Sequence, residues 1–214
     1  MILTFILTSC QNEKKLNGTW ISAYHFNKND TIRESIVGDF PFNQIITFEN
    51  GTFEINEFKR DNYENFRTEN FKLKGNRLVI SDHDEHLSEI IEPLTNDSIV
   101  ISQLVGVQKR VYKRLSDSLK NKTPEFKLTG KKFVRNYRKW TDTIHFVNDS
   151  VYLSSSWQFG NSNRFMWERM THKGFDILFT ENYSPFILKN KIGNKIYIST
   201  FGSRKENYIL TEIK

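Results

Sequence analysis

The sequence predicts an all-β chain built as two small antiparallel barrels, or barrel-like sandwiches, in tandem. Three observations carry that expectation. Apolar and polar residues alternate with period two, and turn residues recur every eight to twelve positions, the pattern of short half-buried strands. Ala occurs once, at Ala23, while Phe, Ile, Tyr and Asn are abundant, a balance that disfavours long helices. The same order of segments is also written twice along the 214 residues, a length that allows two domains of about a hundred residues each.

The strands follow in order. Ile46 and Phe48, then Phe53 and Ile55, flank Glu49-Asn50-Gly51-Thr52, a strong hairpin signal because Asn-Gly accepts the positive φ of a tight turn. Phe71 and Leu73, then Leu78 and Ile80, flank Lys74-Gly75-Asn76. Ile99 and Ile101 follow Thr95-Asn96-Asp97-Ser98, and the segment from Val111 to Leu115 closes the set.

The second half answers the first. Leu16-Asn17-Gly18 corresponds to Leu128-Thr129-Gly130, and Thr47-Phe48-Glu49-Asn50 to His145-Phe146-Val147-Asn148. The segment from Lys74-Gly75 to Ile80 corresponds to that from Lys173-Gly174 to Phe179, and Ile99 to Ser102 to Ile196 to Ser199. Residues 116–126 are polar and contain Pro124, which marks a linker between domains at 16–115 and 127–214. Each repeat offers about eight short strands, and a barrel of that size is filled by side chains or holds one small ligand.

Leu16-Asn17-Gly18-Thr19-Trp20, Ile46-Thr47-Phe48 with Gly51-Thr52-Phe53, Gly75-Asn76-Arg77-Leu78, the run from Leu94 to Val100 and Tyr112-Lys113-Arg114 are specific in order and spacing. Together they resemble the lipocalin-like domains of Bacteroidetes lipoproteins over nearly all of residues 16–115. The second repeat matches more loosely, with Lys132-Phe133 where Thr-Trp would stand and Asp149 in place of Gly. In such domains the Gly-x-Trp packs across the barrel floor, which implies that Trp20 plugs one end.

The amino terminus adds an address. Residues 1–10 form an apolar run, too short to span a bilayer, that ends in Leu7-Thr8-Ser9-Cys10. That ending resembles a bacterial lipobox, which implies a signal peptide over 1–9, lipidation of Cys10 and a polar tether over 10–15. More than one acyl chain on the Cys would make the anchor stable. No Lys or Arg precedes the apolar run, and a start codon assigned too far downstream would account for that. As the only Cys, Cys10 leaves no partner for an intramolecular disulfide and no Cys-based zinc cluster. The expected location is the cell envelope, on the periplasmic side of the outer membrane.

Signatures of chemistry are few. There is no nucleophile elbow, P-loop, dinucleotide fingerprint or His-Glu-x-x-His, so no catalytic residue and no cofactor is expected. The cluster Asp82-His83-Asp84-Glu85-His86 holds metal-ligating side chains, but a solvated acidic turn is the expectation, since ligands on one turn bind weakly. Asp followed by Ser or Thr and an aliphatic residue recurs at Thr31, Ser98, Ser118, Thr143 and Ser150. This resembles the O-glycosylation signal of Bacteroidetes extracytoplasmic proteins, and it is equally the grammar of a turn that opens a strand.

Charge divides the halves. Residues 16–115 hold 12 Lys and Arg against 15 Asp and Glu, whereas residues 127–214 hold 15 against 7. Basic residues are densest over 131–140, where interleaved aromatics suit an anionic glycan or a phospholipid surface; the expected address argues against nucleic acid. The plainer reading is a strand with solvated Lys and Arg on one face.

The sequence leaves two functions open. One is a non-catalytic, lipid-anchored envelope binding protein, acting as a monomer on a small apolar or amphipathic ligand lined by Trp20, Tyr24, Phe48 and Phe53. The other is an interaction or assembly module whose barrels are filled by inward aromatics that also include Phe71, Phe146, Phe175 and Phe179.

Overall fold

The computed structural model describes residues 13–27, 43–58, 66–80, 89–103, 108–122, 125–137, 140–156, 158, 160–202 and 205–214. Cys10, Thr31 and residues 82–86 lie outside the described residues. The chain divides into two compact units between Leu115 and Ser116. Each is a closed eight-stranded antiparallel barrel.

The first barrel is formed by β1 (Gly18–Asn27), β2 (Gln44–Glu49), β3 (Thr52–Glu57), β4 (Phe66–Lys74), β5 (Arg77–Ile80), β6 (Glu89–Leu94), β7 (Ser98–Gln103) and β8 (Gln108–Arg114). Every strand pairs with the next, and β8 returns to β1 to close the ring. The β2–β3 hairpin turns at Asn50 and Gly51, whose φ values of 51° and 80° are those of the turn that its Asn-Gly sequence favours. Alternation sends Trp20, Ile46, Phe48, Phe53, Phe71 and Tyr112 into one buried cluster. The rings of Phe48, Phe53 and Phe71 are in mutual contact, with Phe48 and Phe71 edge to face at 5.3 Å.

One end of this barrel is closed around Trp20. Its indole N–H donates to the Leu16 carbonyl at 2.7 Å, and the Arg114 guanidinium lies 4.0 Å above the ring. Arg114 also donates to the carbonyls of Lys15, Asn17 and Asn96. Gly18 runs beneath that guanidinium at φ 128°, where an added Cβ would lie 2.6 Å from Nη1.

The second barrel comprises β9 (Lys132–Tyr137), β10 (Trp140–Phe146), β11 (Val151–Ser154), β12 (Arg164–His172), β13 (Phe175–Thr180), β14 (Tyr183–Ile192), β15 (Lys195–Phe201) and β16 (Lys205–Ile213). The correspondences read from the sequence fall on equivalent strands: Leu16 and Leu128 precede β1 and β9, Phe48 and Phe146 lie in the last two residues of β2 and β10, and Ile99 and Ile196 are the second residues of β7 and β15. Its interior gathers Phe133, Phe146, Tyr152, Phe165, Trp167 and Phe186 with aliphatic residues.

Two expected inward rings take the other side. Trp167 belongs to the interior cluster and stands opposite Thr180, so β13 presents Thr180, Leu178 and Asp176 inward. Phe175 and Phe179 therefore face outward with Ile177, and all three are buried there. The segment leaving the first barrel is held by the second. It makes a 3₁₀ turn at Asp117–Leu119, buries Leu119, and donates from the Asn121 and Lys122 amides to the Gly174 and Lys189 carbonyls. Lys120 lies over the Phe175 ring.

Candidate functional site: polar clusters inside the barrels

In the second barrel, β9 carries Phe133 inward, so Arg135, two residues on, points inward as well. The same alternation turns Asp142 inward beneath Ile144 and Phe146. Arg135 and Asp142 are direct cross-strand partners, 2% and 0% exposed, with Nη2 3.4 Å from Oδ2. The expectation of a solvated basic face therefore holds only for part of residues 131–140. Lys132 is exposed and Lys131 pairs with Glu212 at 2.9 Å, whereas Arg135 is in the core.

Asp142 also accepts from Ser154 Oγ at 2.8 Å, Ser155 Oγ at 3.3 Å, the Ser156 amide at 3.1 Å and the Tyr183 hydroxyl at 3.3 Å. The Arg135 guanidinium lies over the Tyr183 ring at 4.3 Å and faces Phe186 and Tyr208 at greater distance. Burial pushes the phenols of Tyr152 and Tyr183 above their ordinary range, so both stay protonated as donors, Tyr152 to Asn182 and Tyr183 to Asp142. Beside this cluster is a cavity of about 10 Å³, lined by Arg135, Tyr152, Thr180 and Tyr183 and by apolar side chains that include Phe146 and Leu178. That volume suits about one water molecule.

A second bonded pair occupies the same interior. Arg169 grips Asp176 through two parallel hydrogen bonds at 2.7 and 2.6 Å, and its guanidinium lies over Phe126. Asn121 completes the carboxylate's shell at 2.6 Å.

The first barrel holds its own polar group away from Trp20. The Tyr112 hydroxyl donates to Gln44 Oε1 at 2.6 Å, the Gln44 amide donates to Glu57, and Arg110 pairs with Glu89. Burial raises the Tyr112 phenol well above its usual range.

The expected ligand-lining residues divide. Trp20, Phe48 and Phe53 are packed in the interior cluster. Tyr24 is a correction: the register shifts between Ser22 and Tyr24, so Tyr24 stands opposite Val111. Val111 is on the face opposite to Tyr112, and Tyr24 therefore lies outside the interior. Among the modification candidates, Ser118 and Ser150 are exposed and Ser98 is half-buried. Ser98 and Ser150 sit in side-chain-bonded turns, on Thr95 and on Asn148. Thr143 is mid-strand, and the Asp142 of its motif is the buried partner of Arg135, so that motif is not displayed as a surface tripeptide.

Chemically these clusters are charge-paired, Arg135 with Asp142, Arg169 with Asp176 and Arg110 with Glu89. The hydroxyls of Ser154, Ser155 and Tyr183 donate to the Asp142 carboxylate, whose charge Arg135 balances. Compared with protein-family models, curated proteins and solved structures, the chain matches none.

Proposed function

We propose that this chain is a non-catalytic, lipid-anchored protein of the cell envelope that acts through its outer surfaces on an envelope partner. The observation that carries this reading is the filling of the interiors. Trp20, Phe48, Phe53 and Phe71 pack on one another in the first barrel. In the second, Phe146 meets Trp167 edge to face at 4.8 Å, and the cavity beside Arg135 is the size of a water. Eight strands leave a narrow interior, and large rings use it up. The anchor rests on Leu7-Thr8-Ser9-Cys10, and the likeness to Bacteroidetes lipoproteins on the motifs of the first repeat.

A second reading, a small amphipathic ligand with an acidic head, has one observation in its favour. The Arg135 guanidinium borders a cavity whose remaining lining is largely apolar. Such a ligand would need Tyr183 or its neighbours to move.

Expressed with its natural upstream start, wild-type protein is expected in the membrane fraction and Cys10→Ser in the soluble one. No thermal shift is expected across fatty acids, haem and glycans. Equal distribution of the two proteins removes the anchor, and a saturable shift with a fatty acid lost in the double variant Arg135→Met with Asp142→Leu transfers the function to the second reading.

A further inference from the structure

The outer surface of the second barrel carries a face whose composition differs from the rest of that unit. Strand alternation defines it. Because Phe133, Ile196, Ile198 and Leu210 are interior, their neighbours point outward: Lys132 and Val134 on β9, Lys195 and Tyr197 on β15, Ile209, Thr211 and Ile213 on β16. The register places these side by side. Ile192 is opposite Lys195, Lys195 opposite Thr211 and Thr211 opposite Val134; Tyr197 is opposite Ile209, and Ile213 opposite Lys132.

Two properties coincide there. Three large aliphatic side chains are exposed, Ile192 at 60%, Ile209 at 40% and Ile213 at 39%. No outward position of β15, β16 or β9 among the described residues is acidic: the carboxylates Glu206 and Glu212 of β16 alternate to the opposite side, where Glu212 is taken up by Lys131. Among the described residues, the outward cations of β9, β15 and β16 are Lys132, Lys195 and Lys205, in a unit whose residues 127–214 carry a formal charge of +8. Exposed isoleucines among lysines without intervening carboxylates match a surface that is negatively charged and has apolar matter just beneath its charge. A soluble acidic glycan would use the lysines and leave the isoleucines in water.

We propose that the exposed part of this face, around Ile192, Lys195, Ile209, Ile213 and Lys132, docks on an anionic phospholipid surface, a second attachment beside the acyl anchor. The inference rests on the outer-surface reading above and names its partner. Acyl chains hold a protein at a bilayer without orienting it, and a basic face with apolar side chains sets which side turns to the lipid.

The test uses the full chain with Cys10→Ser, so that acyl chains contribute nothing. Co-sedimentation is measured with vesicles of equal phosphatidylglycerol and phosphatidylcholine and with vesicles of phosphatidylcholine alone. The apolar run of residues 1–9 does not distinguish the two, and the variants assign their difference to the face. Binding to the anionic vesicles is expected to be stronger, to weaken at 0.5 M salt, and to fall at least about tenfold in K132E/K195E. I192S/I209S is expected to weaken it as well, with the melting temperature of both variants unchanged. Equal binding to both vesicles, unchanged binding in either variant, or retention on an acidic polysaccharide without vesicle binding overturns the proposal. Those results leave the filled-barrel reading standing, because that reading fails on a bound ligand and not on vesicles.

Discussion

Arg135 on β9 and Asp142 on β10 face each other across one rung of the ladder, and both are sealed inside the second barrel with Nη2 3.4 Å from Oδ2. Taking two charges from water is costly, and the mutual attraction offsets that cost only with further hydrogen bonds, which Ser154, Ser155, Ser156 and Tyr183 provide. Asp142→Asn leaves the guanidinium buried without its counter-charge. It is expected to destabilise the second barrel by about 3–5 kcal/mol. Arg135→Met combined with Asp142→Leu is expected to cost far less than the single change. Denaturant titration of the three proteins checks this.

Gly18 and Arg114 give a sharper steric prediction in the first barrel. An added Cβ at Gly18 meets Nη1 at 2.6 Å, and the backbone φ of 128° is unfavourable for any other residue. Gly18→Ala should cost about 1–3 kcal/mol. At Gly51 nothing lies within 4 Å of an added Cβ, so Gly51→Ala meets only the backbone penalty of its φ of 80° and should cost less. The two unfolding midpoints check that order.

Leu119 and Asn121 predict where the chain can be divided. Residues 116–122 look like a tether by composition, yet Leu119 is buried and Asn121 bonds Asp176 at 2.6 Å. A fragment of 116–214 should therefore be more stable than one of 124–214, and Leu119→Ala in the longer fragment should lose about 2–3 kcal/mol. Equal melting temperatures for the two fragments would show that the segment adds nothing.

The buried phenols fix the response to alkali. Tyr112, Tyr152 and Tyr183 are held above their ordinary range by burial, whereas in the unfolded chain they ionise near pH 10. Above about pH 10 the unfolded state has released protons that the folded state keeps, so stability falls as pH rises. Below about pH 9 these groups add no pH dependence. Denaturant midpoints measured from neutral to alkaline pH should show that onset, with the phenolate absorbance of these three tyrosines appearing only as the chain unfolds.

Much of the architecture was legible because its signals are local. Period-two alternation located the strands, Asn50-Gly51 and Lys173-Gly174 marked hairpins, and Leu16 with Leu128 aligned the repeats. The interior ion pair was missed although its signal was present. Arg135 shares parity with Phe133, and Asp142 with Ile144 and Phe146; charge averaged over residues 131–140, and a motif centred on Thr143, concealed that parity. Other misses depend on register, which sequence alone does not fix. The shift at Ser22–Tyr24 moves Tyr24 out of the interior, and the pairing of β12 with β13 turns Phe175 and Phe179 outward.

The central claim is that the barrels are filled by their own side chains and that function resides on the outside. Native mass spectrometry of the protein purified from its own envelope tests it most directly. The expected mass is that of the chain from Cys10 with its covalent lipid and no non-covalently bound small molecule. A stoichiometric non-covalent ligand, lost in Phe53→Trp or in Arg135→Met combined with Asp142→Leu, would contradict it.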